Sequence, residues 1–223
     1  MIKAVFFDWG YVFMQGFRDR EREINKILKP LGLDWQKFYS YWKPFYILRS
    51  SGEIKSDKDF ENMIKMASKK EIPVRKIIEI IIENQWIPKE HIEVVKKLKK
   101  KYKVGILSNH VQEWIKKVLK NYKIEKLFDS VTVSSKVGAR KPNALIYFEA
   151  LKKLSVKPEE SVFIADEVAE DLVAASGLGI KTIWLKANFR GWWGKNDKKA
   201  LKIYQPDATI HDLKEVIPVI KKW

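Results

Sequence analysis

Residues 2–8 read IKAVFFD, a short apolar run that closes on an acid. The run is too brief for a helix and rich in β-branched and aromatic residues, so it reads as a strand buried on both faces. Three later runs share that build. VGIL at 104–107 hands over to Ser108 and Asn109, VFIA at 162–165 hands over to Asp166 and Glu167, and IKTIWL at 180–185 follows the helix-ending Gly177 and Gly179. Residues 131–133 and 208–210 are shorter strand candidates. Between the runs lie helical periods. Residues 88–101 carry Ile92, Val95 and Leu98 behind Pro88, a residue suited to a first turn. Residues 111–122, 143–153, 168–176 and 212–222 repeat the pattern. Strands alternating with helices imply an α/β fold, a doubly wound, Rossmann-like parallel sheet covered on both faces.

Residues 15–87 break the alternation. They read as about four helices, near 18–30, 35–48, 56–69 and 74–86, with Ser56 or Asp57 as an N-cap and no strand signal. The expected organisation is a core made of 1–14 and 88–223 with an all-α insert at 15–87. Gly16, near the crossing, is a hinge candidate.

Composition narrows the function classes. Lys and Arg number 44 against 28 Asp and Glu, a formal charge of +16. The lysines are spread along helical stretches such as Lys96, Lys97, Lys99, Lys100 and Lys101, which reads as a solvated helix surface. No specific nucleic-acid partner is expected. Cysteine is absent, which excludes disulfides and thiolate metal sites. Abundant Lys and Glu without Cys fits a thermophile surface. The apolar runs are far too short to cross a bilayer, and residues 1–8 carry no cleavage-site pattern. The expectation is a cytoplasmic monomer or homodimer.

Ligands of open parallel sheets bind at the carboxyl ends of the strands. Asp8, Ser108 with Asn109, and Asp166 with Glu167 all fall at that end. Together with ARKP at 139–142, these residues carry a resemblance. FFDWGYVF at 6–13 resembles the first motif of the haloacid dehalogenase superfamily, ILSNH at 106–110 the second, ARKP the third and FIADEVAED at 163–171 the fourth. The helical insert resembles that superfamily's first class of cap. SGEI at 51–54 resembles a turn of its small sugar-phosphate phosphatase-like members.

The resemblance implies a hydrolase in which Asp8 attacks phosphorus and forms an aspartyl phosphate. It implies that Mg²⁺ is bound by Asp8, the Gly10 carbonyl and the Asp166/Glu167 pair. Lys141 would neutralise a phosphoryl oxygen, with Ser108 and Asn109 contacting the substrate. These roles make physical sense, because an anionic nucleophile reaches an anionic phosphate only when the repulsion is cancelled. Which of Asp166 and Glu167 ligates directly stays open, and Asp171 has two readings, a metal-side acid or a group that orients Lys141. The substrate class implied is a small phosphorylated metabolite.

One position departs from the family pattern. Its phosphatases usually carry a second Asp two residues after the nucleophile, as an acid for the leaving oxygen; here that residue is Gly10. Slow turnover of alkyl phosphates is therefore expected, with aryl or acyl phosphates relatively favoured. His110, Trp9 and Tyr11 lie close in sequence, and His110 is a substitute-acid candidate. In the insert, the dense aromatics from Trp35 to Tyr46 suggest a packing face. Arg49 is the cation expected to meet the substrate anion. An aromatic loop, FRGWWG at 189–194, has no assigned role. Three other functions compete: 2-haloacid dehalogenation by the same Asp8, a non-catalytic phosphate-ligand protein, and nucleic-acid binding through bulk charge.

Overall fold

The computed structural model describes residues 1–186 and 197–223; the aromatic loop at 189–194 lies outside them. A six-stranded sheet forms the centre. In chain order its strands are β1 (Ala4–Phe7), β4 (Lys103–Ser108), β5 (Ser130–Val133), β6 (Ser161–Ala165), β7 (Lys181–Leu185) and β8 (Ala208–Ile210). Their spatial order is β5-β4-β1-β6-β7-β8, with every pairing parallel. β1 is central, and each of its residues is buried. Ala4 and Phe6 face one apolar layer, Val5 and Phe7 the other, as a continuous apolar run demands when both faces are covered.

The crossover helices supply those layers. α5 (Lys89–Lys99), α6 (Gln112–Asn121) and α11 (Val216–Ile220) pack on one face. α8 (Ala144–Leu154) and α9 (Val173–Gly177) pack on the other. Two short helices, α7 (Ser134–Val137) and α10 (Asp197–Ala200), complete the core. The stretch expected to be one regular helix from 168 opens instead with a wide π turn, Val168–Leu172. Its apolar positions Val168, Leu172 and Ala175 would suit an α-helix equally well, so sequence period alone misses it.

Between β1 and α5 stand four helices, α1 (Arg20–Leu28), α2 (Trp35–Ser51), α3 (Asp57–Ser68) and α4 (Val74–Glu83). Asp34 and Ser56 cap α2 and α3 by accepting from the Lys37 and Asp59 amides. The expectation of no strand in this segment is corrected: β2 (Gly16–Phe17) pairs antiparallel with β3 (Gln85–Trp86). Two residues per strand are too few to show a period in sequence. This ribbon lies where the chain leaves and re-enters the sheet core, and three side-chain bonds knit it there. Trp9 Nε1 donates to Gln85 Oε1 at 2.8 Å, Tyr122 Oη donates to the Gln85 carbonyl at 2.9 Å, and it accepts from the Ile87 amide at 3.1 Å.

Candidate active site

β1 delivers Asp8 to the carboxyl edge of the sheet, where its amide donates to the Ile164 carbonyl of β6 at 2.9 Å. The chain turns back at once, with the Phe13 and Met14 amides bonding the Asp8 and Trp9 carbonyls. Tyr11 holds a positive φ of 56° in that turn. β4 ends on Ser108, and β6 is followed by Asp166 and Glu167. Asp8, Gly10, Ser108, Asn109, Lys141, Asp166, Glu167 and Asp171 all line one cavity of about 410 Å³. Every residue that sequence reasoning assigned to the core half of the site therefore meets there.

Its electrostatic centre is Lys141. The buried ammonium lies 3.0 Å from Asp8 Oδ1 and 2.8 Å from Asp171 Oδ2. Burial alone would drive the proton off this lysine, but Asp171 and Asp8 more than offset it and raise its affinity for the proton. Burial pushes the Asp171 carboxyl up, and Lys141 opposes that shift. The Tyr147 hydroxyl donates to the Asp171 carbonyl at 2.8 Å and fixes the strand of chain behind it. Asn109 clamps the lysine's backbone: its Oδ1 accepts from the Lys141 amide at 2.7 Å, and its Nδ2 donates to the Lys141 carbonyl at 3.0 Å. The same Nδ2 reaches Glu170 Oε1 at 3.1 Å. The side chain of Asn109, expected on the substrate, thus positions Lys141.

The acids beyond β6 divide by their neighbours. Asp166 is pushed well up by burial and next by the charge of Asp8. Glu167 is pushed up by burial and by Asp171, Glu170 and Asp166. Of Asp166 and Glu167, it is Asp166 that the Asp8 carboxylate raises. Asp171 sits on Lys141, and among the described residues no three metal-binding side chains converge as one cluster. Of the two readings of Asp171, the contact with Lys141 matches the one in which it orients the lysine.

Two further expectations change. Arg49 does not line the cavity. It is buried, with Nε 3.0 Å from Asp57 Oδ1 and Nη2 3.3 Å from Glu113 Oε2, so it joins α2 to α3 and to α6. His110 does line the cavity, packed edge-on to Tyr46 and Trp114, and burial pushes its imidazole down to about 4. Its Nδ1 accepts from the Val111 amide at 2.8 Å. At neutral pH it is an uncharged ring and a poor proton donor.

Sequence reasoning missed the cavity's upper wall. Arg20 comes from the start of α1, Trp35, Tyr39, Trp42 and Tyr46 come from α2, and Arg140 precedes the lysine. Arg140 bonds Ser50 Oγ and stands 4.0 Å from Glu170. The aromatic spacing of α2 was visible, but it reads as packing until the cavity is seen. Nothing in sequence tells Arg20 from its neighbours Arg18 and Arg22.

Comparison with known proteins places this geometry in company. A family profile for haloacid dehalogenase-like hydrolases matches residues 38–185. Glyceraldehyde 3-phosphate phosphatase of Pyrococcus furiosus is 31% identical over 130 residues, 56% of this chain and 51% of that protein. Pyrophosphatase PpaX of Bacillus mycoides is 28% identical over 131 residues, 58% of each chain. The chain thus spans little more than half the length of these relatives. Among solved structures, a magnesium complex of a Bacteroides thetaiotaomicron enzyme of the same superfamily is 27% identical, with a TM-score of 0.70 over 86% of this chain and 96% of that one. A 2-haloacid dehalogenase of Pseudomonas syringae superposes over the full length of both chains with a TM-score of 0.73 at 18% identity, a likeness of fold.

Proposed function

Since this chain belongs to the haloacid dehalogenase-like hydrolase family, we propose that it is a phosphatase of small phosphorylated metabolites that works through an aspartyl phosphate on Asp8. The observation that carries the reading is the Lys141 ammonium, held between Asp8 and Asp171 at the floor of a cavity. A lysine so placed meets the phosphoryl group as it reaches the carboxylate.

The chemistry follows from charge and position. An Asp8 oxygen attacks phosphorus, the new O–P bond forms, and the ester oxygen departs with its electron pair. Lys141 neutralises one phosphoryl oxygen, and Asp171 and Asn109 keep it aimed. The Ser108 hydroxyl donates a hydrogen bond to another. Water then opens the acyl phosphate and releases inorganic phosphate. With glycine at position 10, no side chain there protonates the departing oxygen, so leaving groups of low basicity are favoured.

A magnesium ion suits the oxygen donors present. Asp8, the Gly10 carbonyl and Asp166 are hard ligands, and magnesium is usually bound by one or two carboxylates with water completing its shell. A tight side-chain cluster is not required. Asp8 and Asp166 line the same cavity, and the Asp8 charge adds to burial in raising the proton affinity of Asp166, so a cation between the two would relieve that repulsion. Bound there, the ion supplies charge neutralisation for the transferring phosphoryl group. The names of the matched phosphatases and the magnesium complex support this reading. The acids Asp166 and Glu167 favour it over carbon attack on a haloacid, which makes no use of a metal.

The test is a screen of alkyl, aryl and acyl phosphates with magnesium and with chelator, beside Asp8→Asn. Magnesium-dependent phosphate release that falls on the order of 10³-fold or more in the variant is expected. Chloride release from 2-haloacids that survives chelation would favour dehalogenation.

A further inference from the structure

We infer that Arg20 holds a second anionic group on the leaving-group side of the substrate, so that the preferred substrates are organic phosphates bearing another carboxylate or phosphate. The inference rests on the phosphatase reading and adds the substrate class. It starts from the cations that approach the cavity. Lys141 sits between Asp8 and Asp171 and serves the transferred phosphoryl group. Arg140 is bound to Ser50 and lies near Glu170. Arg49 is taken up by Asp57 and Glu113 outside the cavity. Among the described residues, Arg20 is the cavity cation for which no carboxylate lies within 4.0 Å.

Its surroundings are unusual for an arginine with no counter-ion. The guanidinium lies 3.9 Å from the centroid of the Phe17 ring and 4.9 Å from that of Trp35. Its Nε is buried and has no hydrogen-bond partner. Burial works against the charge, with Tyr11, Glu21 and Tyr39 pulling the other way. A desolvated cation that lacks a carboxylate is costly. The fold bears that cost at a point where the side chain also lines the cavity. A guanidinium engaged on ring faces offers its N–H donors at its edge, which matches a carboxylate or phosphate in bidentate fashion.

The position fits a leaving group. Asp8, Ser108 and Lys141 form the sheet side of the cavity, whereas Arg20, Trp35 and Tyr39 belong to the helical insert. A phosphoryl group on Asp8 leaves the rest of the molecule to extend along the aromatic wall toward Arg20. Gly10 offers no acid for the ester oxygen, and a fixed anion at the far end would hold a weakly basic leaving group in line without one.

The experiment compares phenyl phosphate with its meta- and para-carboxyphenyl analogues and with phenylene bisphosphate, using the full chain with magnesium. Wild type is expected to show a KM about tenfold lower for at least one doubly anionic probe, the scale of a charge-assisted bidentate contact. Which probe wins separates carboxylate from phosphate. Arg20→Gln should erase that preference, and Arg20→Lys should restore part of it. Binding of benzylphosphonate against para-carboxybenzylphosphonate and phenylenemethyl bisphosphonate, read by quenching of the cavity tryptophans, gives the same ratio without turnover. Equal affinity for singly and doubly anionic probes overturns the inference, as does an Arg20→Gln loss that is equal for both. Absent hydrolysis of every ester with the binding preference intact would instead contradict the phosphatase reading alone.

Discussion

Lys141 reaches two carboxylates from a loop more than 130 residues beyond the first of them in sequence, and the site turns on that contact. At this scale the sharpest prediction concerns position 10. A Cβ built on Gly10 meets nothing within 4 Å, and the residue lines the cavity. Gly10→Asp is therefore accommodated and supplies the acid that the leaving oxygen lacks. Steady-state kinetics should show at least a tenfold gain on an alkyl phosphate and little change on an aryl one, within the roughly 10²–10⁴-fold range of general acid catalysis. Equal gains on both would mean that protonation does not limit turnover. Asp8, Ser108 and Asp166 were legible in sequence because each follows a buried apolar run, and strand ends point to one edge. Arg20 and Arg49 were not. Their roles depend on which carboxylates fold against them: Asp57 and Glu113 claim Arg49, and among the described residues no carboxylate lies within 4.0 Å of Arg20.

Among the elements, the strands were readable because both faces of the sheet are covered, which makes each a continuous apolar run. The β2–β3 ribbon and the π turn after β6 were not, the first being too short and the second sharing its apolar spacing with an α-helix. The end of α2 shows how an element is fixed by a contact outside itself. Gly52 ends that helix with φ of 83°, and a Cβ there would stand 2.5 Å from the Ser135 carbonyl oxygen of α7. Nearby, Ser134 Oγ donates to the Ser50 carbonyl at 2.5 Å. Gly52→Ala combines backbone strain with a backbone clash, so a loss of about 2 kcal/mol or more in unfolding free energy is expected from denaturant titration. A change within 0.5 kcal/mol of zero, the range of ordinary surface substitutions, would show that α2 and α7 separate readily.

For the whole molecule, the insert and the core share one set of interactions: Arg49 pairs with Glu113, Trp114 Nε1 donates to Asp57 at 3.0 Å, and Trp42 and Tyr46 pack on Trp114. His110 packs edge-on to Trp114 in this contact, and His91, buried on α5, donates from Nδ1 to the Phe13 carbonyl. Burial lowers the proton affinity of both, His110 down to about 4. The unfolded chain takes up protons below about 6.5, which the folded one refuses, so stability is lost as pH falls from there toward 4. The His110 share is at most ~3 kcal/mol. Unfolding titrations at stepped pH should show a shallower acid decline in His110→Leu, and an unchanged slope would contradict the buried, neutral ring. The charge of +16 and the absence of any described helix long and apolar enough to cross a membrane bound the molecule's setting without naming its substrate. The central claim is a covalent bond to one carboxylate. The most direct measurement is a rapid acid quench during turnover of an aryl phosphate with magnesium, followed by peptide mapping by mass spectrometry. A phosphoryl adduct on the peptide that contains Asp8, absent from Asp8→Asn, is the predicted result. Full turnover by the Asp8→Asn variant, or a phosphoryl group trapped on any other residue, would contradict it.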